Sequence, residues 1–200
     1  MGQQNDLVHE VPGSRTGRKG LTGTSLMTAA AIGVVGCIVI VPLSYYQQAA
    51  SLAFAQLVAA TLGLWMLPCV FPLVFLRRPG TTLMACLVMG VISTFTTSYG
   101  PLSIATLAIE GLLLELPFLV TGYRKWTRAQ FIVSALLLGT VMGCLTAQTA
   151  GIVRVTTVIV IENTIIADVS CLVFLRLTTQ LARALRNTDL GGSLAAVDAG

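Results

Sequence analysis

The sequence predicts an all-α integral membrane protein, a six-transmembrane-helix bundle with both termini cytoplasmic. Three observations predict it. Hydrophobic residues make up 55% of the chain and charged residues only 10%, against the roughly 25% charge of a soluble domain. Turn signals and charges cut the chain into six apolar runs, each long enough to cross a hydrocarbon layer of about 30 Å. The basic residues gather on alternate connections, which sets the orientation by the positive-inside tendency.

Residues 1–25 read as a disordered cytoplasmic tail, polar and rich in glycine; residues 26–186 form the membrane domain, and residues 187–200 a second disordered tail. The spans fall at about 26–45, 52–76, 81–98, 102–121, 129–149 and 152–177. Arg15, Arg18 and Lys19 precede the first, as in a signal peptide. Its apolar run exceeds the about 7–15 residues of a cleavable core, so it reads as an uncleaved helix. Pro68 and Pro72 lie one turn apart in the second span, which reads as one kinked helix or two short ones. The sixth continues to 186 as an amphipathic helix, with Arg176, Gln180 and Arg183 on one face and Leu177, Leu181 and Leu185 on another. With six crossings, eleven of the twelve basic residues share one side and only Arg154 lies opposite.

Four acids, Glu110, Glu115, Glu162 and Asp168, interrupt these apolar runs. A carboxylate at mid-membrane costs roughly 3 kcal/mol or more unless something receives it, so an internal polar pocket or pathway is expected. Glu110 lies about 12–14 Å below the outer interface at the helical rise. Glu115 lies about 140° further round the helix, so one ligand touches both only if Pro117 distorts it. Gly111 lets a backbone or a ligand approach the Glu115 face. Glu162 and Asn163 together offer acceptors and a donor pair suited to a heterocycle with ring nitrogens and an amino group; a bond between helices suits Asn163 equally. Asp168 is expected to pair with a cytoplasmic arginine. Trp65 and Tyr99 could stack on a flat ligand, although outer tyrosines also suit an aromatic belt.

Other classes are disfavoured. The five cysteines are scattered singly in apolar segments and read as small hydrophobes. The single histidine, His9, lies in the tail. No phosphate loop, GxSxG elbow or HExxH motif occurs. No catalytic residue, metal site or cofactor is therefore expected in this chain, which reads as not an enzyme and as no nucleic-acid binder. Ala29 with Gly33, and Gly139 with Gly143 and Ala147, mark faces for close helix packing.

Four motifs follow in order between residues 77 and 126. They are Arg-Arg-Pro-Gly-Thr-Thr-Leu from Arg77, then Tyr99-Gly100-Pro101, then Glu110-Gly-Leu-Leu-Leu-Glu115-Leu-Pro-Phe118, and Tyr123-Arg-Lys-Trp126. This stretch resembles the YkoE family of membrane-embedded substrate-binding (S) components of energy-coupling-factor (ECF) vitamin transporters. The resemblance implies a six-helix bacterial plasma-membrane protein that binds thiamine or its hydroxymethylpyrimidine precursor. It also implies a transmembrane coupling protein and two cytoplasmic ATPases, which use the ATP, as partners. Glu115 matches the family glutamate and is the first candidate for ligand contact, while Glu110 stands where many relatives carry glutamine. Two rival readings use the same acids: a standalone proton-coupled carrier, and a membrane assembly subunit whose acids only join helices.

Overall fold

The structure, a computed structural model, describes residues 23–51, 55–149 and 157–187. It consists of α1 (Gly23–Ser51), α2 (Ala55–Leu76), α3 (Thr81–Thr96), α4 (Leu102–Val120), α5 (Arg128–Thr149) and α6 (Thr157–Arg186), with no strand among the described residues. Five of the six are long and apolar enough to cross a membrane; α3, at 16 residues, is the short one. The tails expected at residues 1–25 and 187–200 fall almost wholly outside the described residues, as does the start of the expected sixth span.

The helices depart from the expected spans where local chemistry is permissive. α1 runs on to Ser51 instead of ending near residue 45. Its last turns hold no breaker, and Gln47 is drawn inward, its Nε2 donating to Thr61 Oγ1 of α2 at 3.0 Å. α2 is one continuous helix that contains both Pro68 and Pro72. Interior prolines free backbone carbonyls, which a bundle tolerates when neighbouring groups surround them. α6 is unbroken to Arg186, and its packed stripe in the final turns is Leu175, Thr178 and Ala182. Leu177, Leu181 and Leu185 stay exposed there, as do Arg176 and Arg183.

α2 occupies the centre and touches every other helix. Its sequence is apolar on all sides, the pattern of a helix that is buried all round. Val58, Ala59, Leu62, Trp65, Met66, Cys69, Val70, Leu73 and Val74 all lie in the core. α6 lies along α2 and α5, while α3 lies along α4 and α1.

Small residues set the closest approaches, all of them inside the bundle. Gly63 of α2 backs onto Ser170 of α6, where an added Cβ would fall 2.3 Å from the Ser170 carbonyl oxygen. Ser170 Oγ ties the two helices, accepting from Gly63 N–H at 3.1 Å and donating to the Ala60 carbonyl at 2.6 Å. On α5, Gly139 faces Asp168 and Gly143 faces Thr164 and Ala167.

At the basic end, the Arg186 guanidinium donates to the Val74 and Phe75 carbonyls and lies over the Phe75 ring. The end of α6 thereby satisfies carbonyls that the last turn of α2 leaves without helical partners.

A Gly63→Val substitution should push α2 off α6. We expect a loss of about 1–3 kcal/mol or more, read as a lowered midpoint of thermal unfolding in detergent. Gly23→Ala, where nothing lies within 4 Å of the new Cβ, serves as the control. Equal midpoints for the two variants would contradict the tight α2–α6 contact.

Candidate functional site

α4 presents Ser103, Leu107, Glu110, Gly111, Leu114, Glu115 and Phe118 to the interior. Both of its acids therefore lie within one broad buried stripe, but they face different neighbours.

Glu110 is 3% exposed. Its Oε2 accepts from the indole Nε1–H of Trp65 at 2.9 Å, and among the described residues Trp65 is its one hydrogen-bond donor. Cys69, one turn beyond Trp65 on the same face of α2, is fully buried. A carboxylate has about four acceptor positions, so this one is thinly supplied where α4 meets α2.

Glu115 has a different environment. Its Oε1 accepts from the backbone N–H groups of Thr82 at 2.9 Å and Leu83 at 3.1 Å. Its Oε2 accepts from the Gly80 N–H at 3.0 Å and the Tyr123 hydroxyl at 2.8 Å. Four donors thus meet the four acceptor positions. The backbone donors belong to the start of α3, where a helix leaves N–H groups unpaired and carries positive partial charge. Gly80, the residue before α3, has no side chain to cap them and sits at φ 74°. A carboxylate from a neighbouring helix does so instead.

The backbone also delivers Tyr123. The Gly122 N–H donates to the Leu119 carbonyl at 2.9 Å and the Tyr123 N–H to the Phe118 carbonyl at 2.8 Å. This is the paired closure of a helix C-terminus around a left-handed glycine, and Gly122 has φ 59°. Tyr123 is itself left-handed, at φ 57°, and its hydroxyl turns back to Glu115. Burial, then the Glu115 charge and their bond, push the phenol above its ordinary range, so it remains a donor. Trp126 packs on Phe118 at 5.0 Å between ring centroids, and Phe118 on Phe131 at 4.9 Å.

The remaining candidates are dispersed. Asn163 is fully buried, and its Nδ2 donates to the Gly143 carbonyl at 3.0 Å and to Thr146 Oγ1 at 2.9 Å. It joins α6 to α5, while its Oδ1 has no hydrogen-bond partner among the described residues. Glu162, its neighbour, is exposed on the outer surface of α6 between Ile161 and Ile165, which are exposed as well. Tyr99 lies in the α3–α4 connection beside Gln48, at the opposite end from Glu115. Asp168 has Thr140 of α5 as its partner, whose hydroxyl reaches its two oxygens at 3.3 and 3.2 Å. The expected arginine partner is not found among the described residues. Trp65 and Glu110 are therefore the candidates that the fold brings into contact.

Sequence reasoning missed Tyr123 as a partner and the α3 amides as donors. The signal was present: a glycine before a helix that lacks its own capping side chain requires an outside acceptor. No group of three or more His, Cys, Asp or Glu that could hold a metal ion occurs among the described residues.

This arrangement defines a class: a multi-pass helical membrane protein with a buried, thinly coordinated carboxylate in its core. Residues 24–141, more than half the chain, match the family described as ABC-type cobalt transport system, permease component. The chain belongs to this family and is a membrane component of an ABC-type transport system, a class that works with ATPase partners. No curated protein and no solved structure matches it.

If Glu115 caps α3, Glu115→Gln keeps one acceptor oxygen and sets an amide donor against the groups that the other oxygen served, either the Thr82 and Leu83 N–H pair or the Gly80 N–H and the Tyr123 hydroxyl. A loss of about 2–4 kcal/mol is expected, against about 1 kcal/mol for Tyr123→Phe, which removes one bond. Thermal unfolding of the two purified variants checks the order; a Glu115→Gln protein as stable as wild type would contradict the cap.

Proposed function

We propose that this chain is the substrate-capture subunit of an energy-coupling-factor transporter for thiamine or its hydroxymethylpyrimidine precursor, in a bacterial plasma membrane. It works there with a transmembrane coupling protein and two cytoplasmic ATPases, and it carries out no chemistry of its own. The observation that supports this most is the Glu110–Trp65 pair. The indole N–H orients a carboxylate that keeps acceptor capacity in a dry surrounding. An aminopyrimidine presents an exocyclic amine and ring nitrogens, which a carboxylate engages by paired hydrogen bonds. Such bonds gain strength where water is excluded.

The six sequence candidates then separate by role. Glu110 and Trp65 meet the pyrimidine. Glu115 acts through α3, whose first turn it holds. Asn163 contributes by holding α6 against α5, and Tyr99 lies at the end from which a ligand enters. Glu162 takes no part in the pocket.

The family's description favours a second cargo, a cobalt ion. Glu110, Cys69 and Cys171 would be its nearest donors, although they do not assemble as a metal site among the described residues.

Calorimetric titration of the detergent-purified protein with thiamine, hydroxymethylpyrimidine and cobalt chloride separates the readings. We expect saturable binding of a thiamine-type ligand, weakened by roughly tenfold or more in Glu110→Gln while thermal unfolding stays cooperative. Heat with cobalt alone would make the metal the cargo. Silence with all three would remove the capture reading and favour a membrane assembly subunit.

A further inference from the structure

A second polar feature lies away from Glu110. At the basic end a cleft of about 90 Å³ opens between the end of α2, the start of α5 and the end of α6. Four of its nine lining residues are arginines, Arg77, Arg128, Arg183 and Arg186, and Trp126 and Thr179 also line it. Among the described residues no carboxylate lines it. Like charges gathered around so small a volume repel one another, and among the described residues that line it neither aspartate nor glutamate offsets them.

We propose that this cleft binds a phosphate group. Guanidinium groups present planar forks of N–H donors that match phosphate oxygens, and Thr179 adds a hydroxyl donor. The volume suits one tetrahedral anion rather than a peptide helix. The position matches that chemistry too. The cleft sits where helices of a membrane bundle end, the level of lipid headgroups, and Trp126 is a residue type favoured at that level. Basic pockets between helix ends are a recurring mode of anionic-headgroup recognition. Phosphate can come from an anionic phospholipid or from solution, and the two sources share this recognition.

The arginines are not equivalent. Arg186 is already committed to the Val74 and Phe75 carbonyls, so removing it would disturb α2. Arg128 and Arg183 are exposed and can be changed with less structural consequence.

The test uses the full-length protein in a neutral detergent. Thermal unfolding and native mass spectrometry are run with added phosphatidylglycerol, with phosphatidylcholine, and with inorganic phosphate. We expect phosphatidylglycerol to raise the unfolding midpoint and to leave bound lipid in the spectrum, with phosphatidylcholine doing neither. In the double variant Arg128→Gln, Arg183→Gln the midpoint without lipid should be unchanged and lipid retention should fall roughly tenfold or more. A shift of equal size with inorganic phosphate would support the site and assign the soluble anion as its occupant. Absence of any shift in wild type, or an undiminished lipid shift in the double variant, would overturn the proposal.

Discussion

The carboxylate of Glu115 is the interaction on which this bundle depends most visibly. A carboxylate buried between helices is stable only if its lone pairs are met. Here the donors are groups that themselves need an acceptor: three N–H groups at the start of α3 and a phenol in the next loop. The two deficits offset each other. The same bonds fix geometry, because α4 supplies the carboxylate, α3 the amides and the α4–α5 connection the tyrosine. Trp126 and Phe131 then close over Phe118, one turn below Glu115 on α4.

That clasp explains why two glutamates five residues apart on one helix have different characters. Glu115 lies near the basic end, where helix termini supply backbone donors. Glu110 lies deeper, among helices whose own N–H groups are already paired, and only a side chain can reach it. α2 supplies one, the Trp65 indole. Glu115 is met by four donors, whereas Glu110 is met by one among the described residues. The contrast follows from depth alone, since the residue type is the same.

The membrane class, the number of helices and the crowding of basic residues at one end were legible in the sequence, because each rests on composition and on periodicity that a bilayer enforces. The packing role of Gly139 and Gly143 was legible too, and the structure sets both against α6. The partners of the acids were not. Spacing along α4 locates Glu110 and Glu115 relative to each other, but it says nothing of which neighbouring helix lies opposite. Asp168 illustrates the limit: its charge suggested an arginine, yet Gly139 admits it to α5 at the level of Thr140, and a hydroxyl becomes its partner. Glu162 and Asn163 show it again. Adjacent residues on a helix point about 100° apart, so one of this pair is buried and the other exposed.

The motifs that carry the family likeness converge in an instructive way. Gly80, Glu115, Phe118, Tyr123 and Trp126 come from three of the four motifs, and all take part in the one clasp at the basic end. Their spacing records the demands of joining α3, α4 and the following loop, which any cargo would leave unchanged. Glu110 belongs to the same stretch but lies outside the clasp, and the donor that meets it comes from α2, whose sequence carries no such motif. The clasp thus joins the start of α3 to α4 and to the connection that follows it, whereas Glu110 depends on α2 for its one donor.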